Sequence, residues 1–242
     1  MTVEFIRTPV HVPEPGLLAT WVRRADYGPM RHVATGRRHR PVGSYYSIKN
    51  GCALAWESRN ELHAFYHAEV RSDVVGYLAQ PHTWEINIHG RKMKFTPDLE
   101  LRLASGRTEV IEIKGVFDAA ADPDYSEKLD MVSRLCGRIG RSFRVVEQDA
   151  LEAQPRFKAI EEIQSYRRTA INSADAFLVS KMFEASDGVV LADFKQAYAN
   201  PVLGMAKAYA MMVRRIVEID LAQGLSAFSP VRLIGRPEAG HA

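Results

Sequence analysis

The stretch Lys94–Gly115, KFTPDLELRLASGRTEVIEIKG, brings two carboxylates and a lysine within reach of one another. Glu112 and Lys114 are two apart in an apolar run, so on a strand they leave the same face while Ile111 and Ile113 leave the other. Upstream, Phe95, Pro97, Leu99, Leu101 and Leu103 alternate with Thr96, Asp98, Glu100 and Arg102, the period of a strand with one buried face. Ala104-Ser105-Gly106-Arg107 is a tight polar turn between the two runs. Pairing as a hairpin puts Asp98 near Glu112 and Lys114. Two carboxylates on the polar face of a sheet suit a hard divalent cation, and the ammonium beside them suits a phosphodiester undergoing hydrolysis.

Other elements must hold that hairpin. Glu57 to about Val70 has helical spacing, with Ser58 as N-cap and Glu61 three residues on completing a capping box. Glu61 either closes that box alone or points toward the sheet and helps hold a metal. His63 and His67, four apart, fit surface or packing histidines better than a chelate, because no Glu follows the first of them. Val74 to Pro81 and Thr83 to Ile88 read as strands, and His89-Gly90-Arg91 as the turn into the central hairpin. A helix over about Tyr125 to Arg138 has Leu129, Val132, Leu135 and Ile139 as its apolar stripe, and Phe143 to Glu147 is a further strand. Tyr45 to Ile48 has the pattern of a strand, but Pro9, Pro13, Pro15, Pro29 and Pro41 mark the chain up to about Trp56 as irregular overall.

Phe157 to Ala170 is helical in pattern, and a second unit then begins. Helices are expected over Ala174–Glu184, Leu191–Ala199 and Met205–Val217, with a short hairpin from Glu218–Leu221 and Val231–Leu233. Three helices and a two-stranded wing point to a winged helix-turn-helix, with the tail from Gly235 disordered. The boundaries expected are therefore 1–168 and 169–242. The fold class is α/β (α+β): a mixed sheet flanked by helices, then a small helical domain.

Composition sets bounds on function. The chain is 242 residues, 46% hydrophobic and 25% charged, with 32 Lys+Arg against 29 Asp+Glu, a net charge of +3. This permits nucleic-acid binding without requiring it. Two cysteines and no Cys-x-x-Cys exclude a disulfide framework and a cysteine zinc site, and fit a reducing cytoplasm. No apolar run has the length of a signal peptide or a membrane span. Arg37, Arg38 and Arg40 lie in a basic run, RHVATGRRHRP, that is either a solvated loop or a set of phosphate contacts. Arg134, Arg138, Arg141 and Arg144 either meet phosphates or favour the end of their helix through its dipole. Lys207, Arg214 and Arg215 lie on the third helix of the second unit, which in a winged helix can enter a major groove.

The order Glu61 … Pro97-Asp98 … Glu112-Ile113-Lys114 resembles the PD-(D/E)xK nuclease superfamily. More narrowly, SRNEL with Glu61, VVGYLAQP with Gln80-Pro81, TPDLEL with Asp98, EIKG with Lys114, GRRHR at Gly36 to Arg40 and Glu127-Lys128-Leu129 resemble the TnsA family of transposon endonucleases over roughly Gly36 to Glu147. Leu99 departs from that pattern, where the family has an aromatic. The resemblance implies a restriction-endonuclease-like domain followed by a winged helix. It implies cuts at the 5′ ends of a transposon, in double-stranded DNA, beside a DDE-type transposase that cuts and joins the 3′ ends. It also implies contact with an AAA ATPase regulator through the C-terminal region.

In that reading Asp98 and Glu112 hold Mg²⁺, for which Mn²⁺ can substitute, with Glu61 as the third acidic position, acting directly or through water. The Ile113 carbonyl is a further oxygen ligand, and Lys114 positions or activates the attacking water or stabilises developing charge. Two other classes stay open: a stand-alone restriction, repair or resolvase-type nuclease of the same fold, and a non-catalytic DNA-binding assembly protein.

Overall fold

Among its described residues the proline-marked N-terminal segment contains four strands. The computed structural model describes residues 3–30, 41–186 and 188–235, so Arg31 to Arg40 and the tail from Arg236 lie outside the described residues. In chain order come β1 (Phe5–Val10), β2 (Leu17–Arg24), β3 (Gly43–Ser47), β4 (Cys52–Trp56) and α1 (Arg59–Val70). Then follow β5 (Val74–Ala79), β6 (Thr83–Ile88), β7 (Arg91–Phe95), β8 (Leu99–Leu103), β9 (Thr108–Lys114), α2 (Pro123–Arg138), β10 (Arg141–Glu147) and the short α3 (Gln148–Leu151). The remainder is α4 (Arg156–Tyr166), α5 (Ser173–Ala185), α6 (Leu191–Ala197), α7 (Pro201–Val213), β11 (Val217–Ile219) and β12 (Val231–Leu233). The fold is α+β. Among the described residues no helix is long and apolar enough to cross a membrane.

The expectation of an irregular start is corrected by β1 and β2, which pair antiparallel from Phe5↔Arg24 to Val10↔Ala19. Pro9 is compatible with this because β1 is an edge strand, where a missing N–H breaks no ladder bond on the open side. The chain divides into two units. The first is residues 1–64 with 73–151, and the second is residues 65–72 with 152–242. A division was expected after residue 168, so the helix near Phe157 now counts with the second unit.

The first unit contains two four-stranded sheets and the β3–β4 hairpin. One sheet has the order β1-β2-β6-β7 and is antiparallel throughout. The other has the order β10-β9-β8-β5 and is mixed, with β10 parallel to β9 and the other pairs antiparallel. The run expected as one strand from Phe95 to Leu103 is broken. Phe95 ends β7 in the first sheet, and Thr96-Pro97-Asp98 carries the chain across to β8 in the second. Turn chemistry fixes the β6–β7 hairpin: His89 and Gly90 both have positive φ (47° and 89°), as a two-residue type I′ turn requires.

One core joins both sheets to α2. Leu17, Ala19, Trp84, Ile86 and Phe95 from one sheet and Val110 from the other close on Leu129, Val132 and Leu135. Each large apolar side chain there contributes about 1.5–3 kcal/mol. α2 begins where Asp122 caps the Tyr125 N–H and Pro123 sets the first turn, and it stops before Gly140, which has φ +72°.

In the second unit α7 is the central helix, buried almost continuously from Ala206 to Val213. Asn200 caps it by accepting from the Val202 and Leu203 N–H groups. Gly204 lets it approach α6, since a Cβ there would lie 2.2 Å from the Phe194 carbonyl oxygen. β11 and β12 pair antiparallel.

Candidate functional site

β9 is an interior strand of the mixed sheet, with β10 on one side and β8 on the other. Val110, Glu112 and Lys114 share one face, and α2 covers that face: Val110 is fully buried against its stripe. Along β9 the face turns from apolar to charged just where the first turn of α2 brings in Tyr125. Glu112 is consequently a buried carboxylate, 6% exposed. Its Oε1 accepts from the Tyr125 hydroxyl at 2.8 Å and pairs with Lys114 Nζ at 2.8 Å. Its Oε2 is buried and has no hydrogen-bond partner among the described residues. A carboxylate oxygen in that condition costs several kcal/mol unless a cation or donor meets it. The Lys114 ammonium also stands 4.6 Å from the centre of the Tyr125 ring. Burial opposes its charge, but the bonds to Glu112 and Tyr125 outweigh burial and hold its pKa above the ordinary lysine range.

Asp98 immediately precedes β8. The β8–β9 ladder closes at Leu99↔Ile111, and beyond it the Asp98 side chain takes over: Oδ2 accepts from the Ile113 N–H at 2.7 Å. A strand residue sends its N–H and C=O to the same edge, so the Ile113 carbonyl leaves β9 on the side from which Asp98 reaches in. The Asp98 carbonyl accepts from the Gln80 N–H at 2.9 Å, which ties the crossing to the end of β5. Burial and then the Glu112 charge push the Asp98 carboxyl up to about 7, against the Ile113 hydrogen bond and Lys114. Two carboxylates this close resist ionising together.

Glu61 is 8% exposed and closes a box with Ser58 that differs from the expected capping box, because its side chain reaches the Glu57 N–H rather than the N–H of the Ser58 cap. The Glu57 N–H donates to its Oε2 at 3.0 Å, the Ser58 hydroxyl donates to its Oε1 at 3.1 Å, and its own N–H donates back to Ser58 at 3.2 Å. Burial raises its pKa, the box bonds oppose this, and the Glu57 and Glu112 charges add to the rise. Asp98 feels Glu61 in turn. Glu61 is therefore within electrostatic reach of the other two acids while both its oxygens are engaged at the helix start.

The donor set fits a hard cation. Asp98 and Glu112 supply carboxylate oxygens, one of them without a hydrogen-bond partner among the described residues. Among the described residues no group of three or more His, Cys, Asp and Glu side chains is placed to hold a metal ion. Two carboxylates with a backbone oxygen agree with the habit of Mg²⁺, which takes one or two carboxylates and keeps water or phosphate in its other positions.

The arginines expected to meet DNA lie elsewhere or are committed. Arg37, Arg38 and Arg40 lie outside the described residues. Arg134 and Arg138 line a groove of about 320 Å³ with Val12, Glu14 and Leu17. Arg138 is ~20 Å from Tyr125 along the axis of α2, by the rise per residue of a helix, so it does not join the acid cluster. Arg141 pairs with Glu100, and Arg144 pairs with Glu109 at 2.6 Å. In the second unit, Lys207 is buried and bonds Asp175 and the Ala170 carbonyl. Arg214 donates to the Arg167 and Ala210 carbonyls, and Arg215 to the Ser72 carbonyl. His67 stacks on Phe157, a packing role.

Tyr125 is the residue that sequence reading missed. The stripe Leu129, Val132, Leu135, extended one turn toward the N-terminus, falls on it, and that was the available signal. No family model matches the chain, and no curated protein matches it.

Proposed function

We propose that this chain is a Mg²⁺-dependent DNA endonuclease acting in the cytoplasm, of the kind its resemblance to TnsA implies, cutting at the 5′ ends of a transposon beside a DDE-type transposase and an AAA ATPase regulator. The observation that carries the reading is the convergence of Asp98, Glu112 and Lys114 at one end of a mixed sheet, with a buried oxygen of Glu112 that has no hydrogen-bond partner among the described residues. Asp98, Glu112 Oε2 and the Ile113 carbonyl are the groups that would hold the cation, with Glu61 next to them. A bound Mg²⁺ would neutralise the phosphodiester and make a water molecule a better nucleophile.

Lys114 is held cationic by Glu112 and Tyr125, which favours the role of a donor over that of a base. As an ammonium it orients the attacking water and hydrogen-bonds the oxygens on which charge develops. The burial of this corner of the sheet strengthens those interactions. In the second unit the internal bonds of Lys207, Arg214 and Arg215 weigh against groove insertion by α7. They leave protein contact as the favoured role of a winged-helix-like unit.

The test is cleavage of plasmid DNA bearing transposon ends, with Mg²⁺ or Mn²⁺, with and without the partner transposase. Asp98→Asn and Lys114→Ala should each lower cutting by roughly 10²-fold or more while leaving the fold intact. Wild-type cutting by both variants would remove the site assignment. Robust cutting by the purified chain alone would favour a stand-alone nuclease.

A further inference from the structure

We propose that Tyr125 is a positioning residue that selects which oxygen of Glu112 meets a bound cation and so biases the site toward small octahedral cations over calcium. The inference rests on the metal-site reading above.

The side chain is pinned from several directions. Its backbone N–H donates to the Asp122 cap at 3.0 Å, its ring meets Phe117 edge-on at 6.1 Å, and the ammonium groups of Lys114 and Lys128 lie 4.6 and 5.6 Å from the ring centre. The hydroxyl then donates to Glu112 Oε1 at 2.8 Å. Lys114 shares that same oxygen. Oε1 thus carries two donors, whereas Oε2 carries none among the described residues. A cation arriving at Glu112 meets a carboxylate with one uncommitted oxygen, which enforces monodentate ligation.

Lys114 alone would fix this poorly, because an ammonium on a four-carbon stem can follow either oxygen, whereas a phenol on the first turn of a helix cannot. Monodentate carboxylates suit the near-octahedral shell of Mg²⁺ and Mn²⁺. Calcium accepts a larger, looser shell and often takes both oxygens of a carboxylate. A phenolic donor holds Oε1 out of the metal shell without cancelling the negative charge on which affinity depends.

Calorimetric titration of the full chain with Mn²⁺ alone and with Ca²⁺ alone tests this, with thermal melting of the metal-free protein as control. Tyr125→Phe keeps the ring and removes only the hydroxyl. It should weaken Mn²⁺ binding roughly tenfold, as loss of a partner to a metal ligand does, weaken Ca²⁺ binding less, and lower the metal-free melt only modestly, by the loss of one hydrogen bond. Tyr125→Leu, which also removes the ring, should show at least the same fall in the Mn²⁺ to Ca²⁺ affinity ratio. If wild type binds Mn²⁺ and Glu112→Gln abolishes binding, yet both Tyr125 variants keep the wild-type ratio, the positioning role is refuted and the metal site stands. If wild type binds neither ion, the metal-site reading fails and this inference fails with it.

Discussion

Asp98 sits in surroundings that oppose its charge. Burial, then the Glu112 and Glu61 charges, raise its pKa from 3.8 to about 7, against the Ile113 N–H and Lys114. A carboxyl with a higher pKa folded than unfolded binds its proton more tightly in the folded state, so its contribution to stability is present at low pH and is lost as pH rises between ~4 and ~7. In metal-free protein, Asp98→Asn should flatten that part of the stability–pH profile and raise the melting temperature at neutral pH. The amide oxygen can still accept from Ile113. A variant melting below wild type at pH 8 would show that the carboxylate is not electrostatically strained. This residue was legible in the sequence because its spacing from Glu112 and Lys114 follows from strand period and a tight turn. Tyr125 was legible only in part: the stripe of α2 puts it on the buried face, but the meeting of its hydroxyl with Glu112 depends on the angle at which the helix crosses the strand, which no local pattern encodes. The two possibilities for Glu61 show a further limit: a capping glutamate and a site glutamate have the same sequence signature.

Elements with a strong internal period were readable, and those defined by their neighbours were not. α2 and the β8–β9 hairpin follow from apolar spacing and turn chemistry. β1 is mostly exposed and carries Pro9, so it is a strand only because β2 offers it an edge. Phe95 and Leu99 continue one alternation yet belong to different sheets, since Pro97 cannot supply a ladder N–H between them. On α7 the basic residues looked like a surface feature, but Lys207 is buried beside Asp175, which also accepts from Tyr198 and the Asn172 N–H. Breaking a buried pair by removing one partner is far more costly than removing both. Lys207→Met should therefore destabilise the protein by about 3–5 kcal/mol in urea unfolding, and Lys207→Met with Asp175→Asn should recover part of the loss. Equal destabilisation by the single and double variants would mean that Lys207 acts through packing alone.

At the scale of the whole chain, the two units are not consecutive segments. Residues 65–72 lie between parts of the first unit in sequence but count with the second. α1 is the element that divides, and no composition shift or linker marks the point. This short stretch is buried or half-buried in the folded chain, and hydrogen bonds tie it to the rest of the second unit. Phe65, Ala68 and Val70 are at most 2% exposed. The Tyr66 carbonyl accepts from Gln164 at 3.3 Å, and the Ser72 carbonyl accepts from Arg215 at 2.8 Å. Burying Phe65 and Val70 contributes about 1.5–3 kcal/mol each, and each of the two hydrogen bonds adds about 1 kcal/mol. A domain of this size has about 5–15 kcal/mol of net stability, so losing the segment removes a substantial part of it. A fragment of residues 152–242 should consequently melt without a sharp transition by circular dichroism, although it carries four of the helices and the β11–β12 hairpin. Adding a peptide that spans residues 65–72 should restore part of the cooperativity. A sharp, reversible melt of the fragment alone would show that α4–α7 form a self-sufficient core and that the second half of α1 only rests against it.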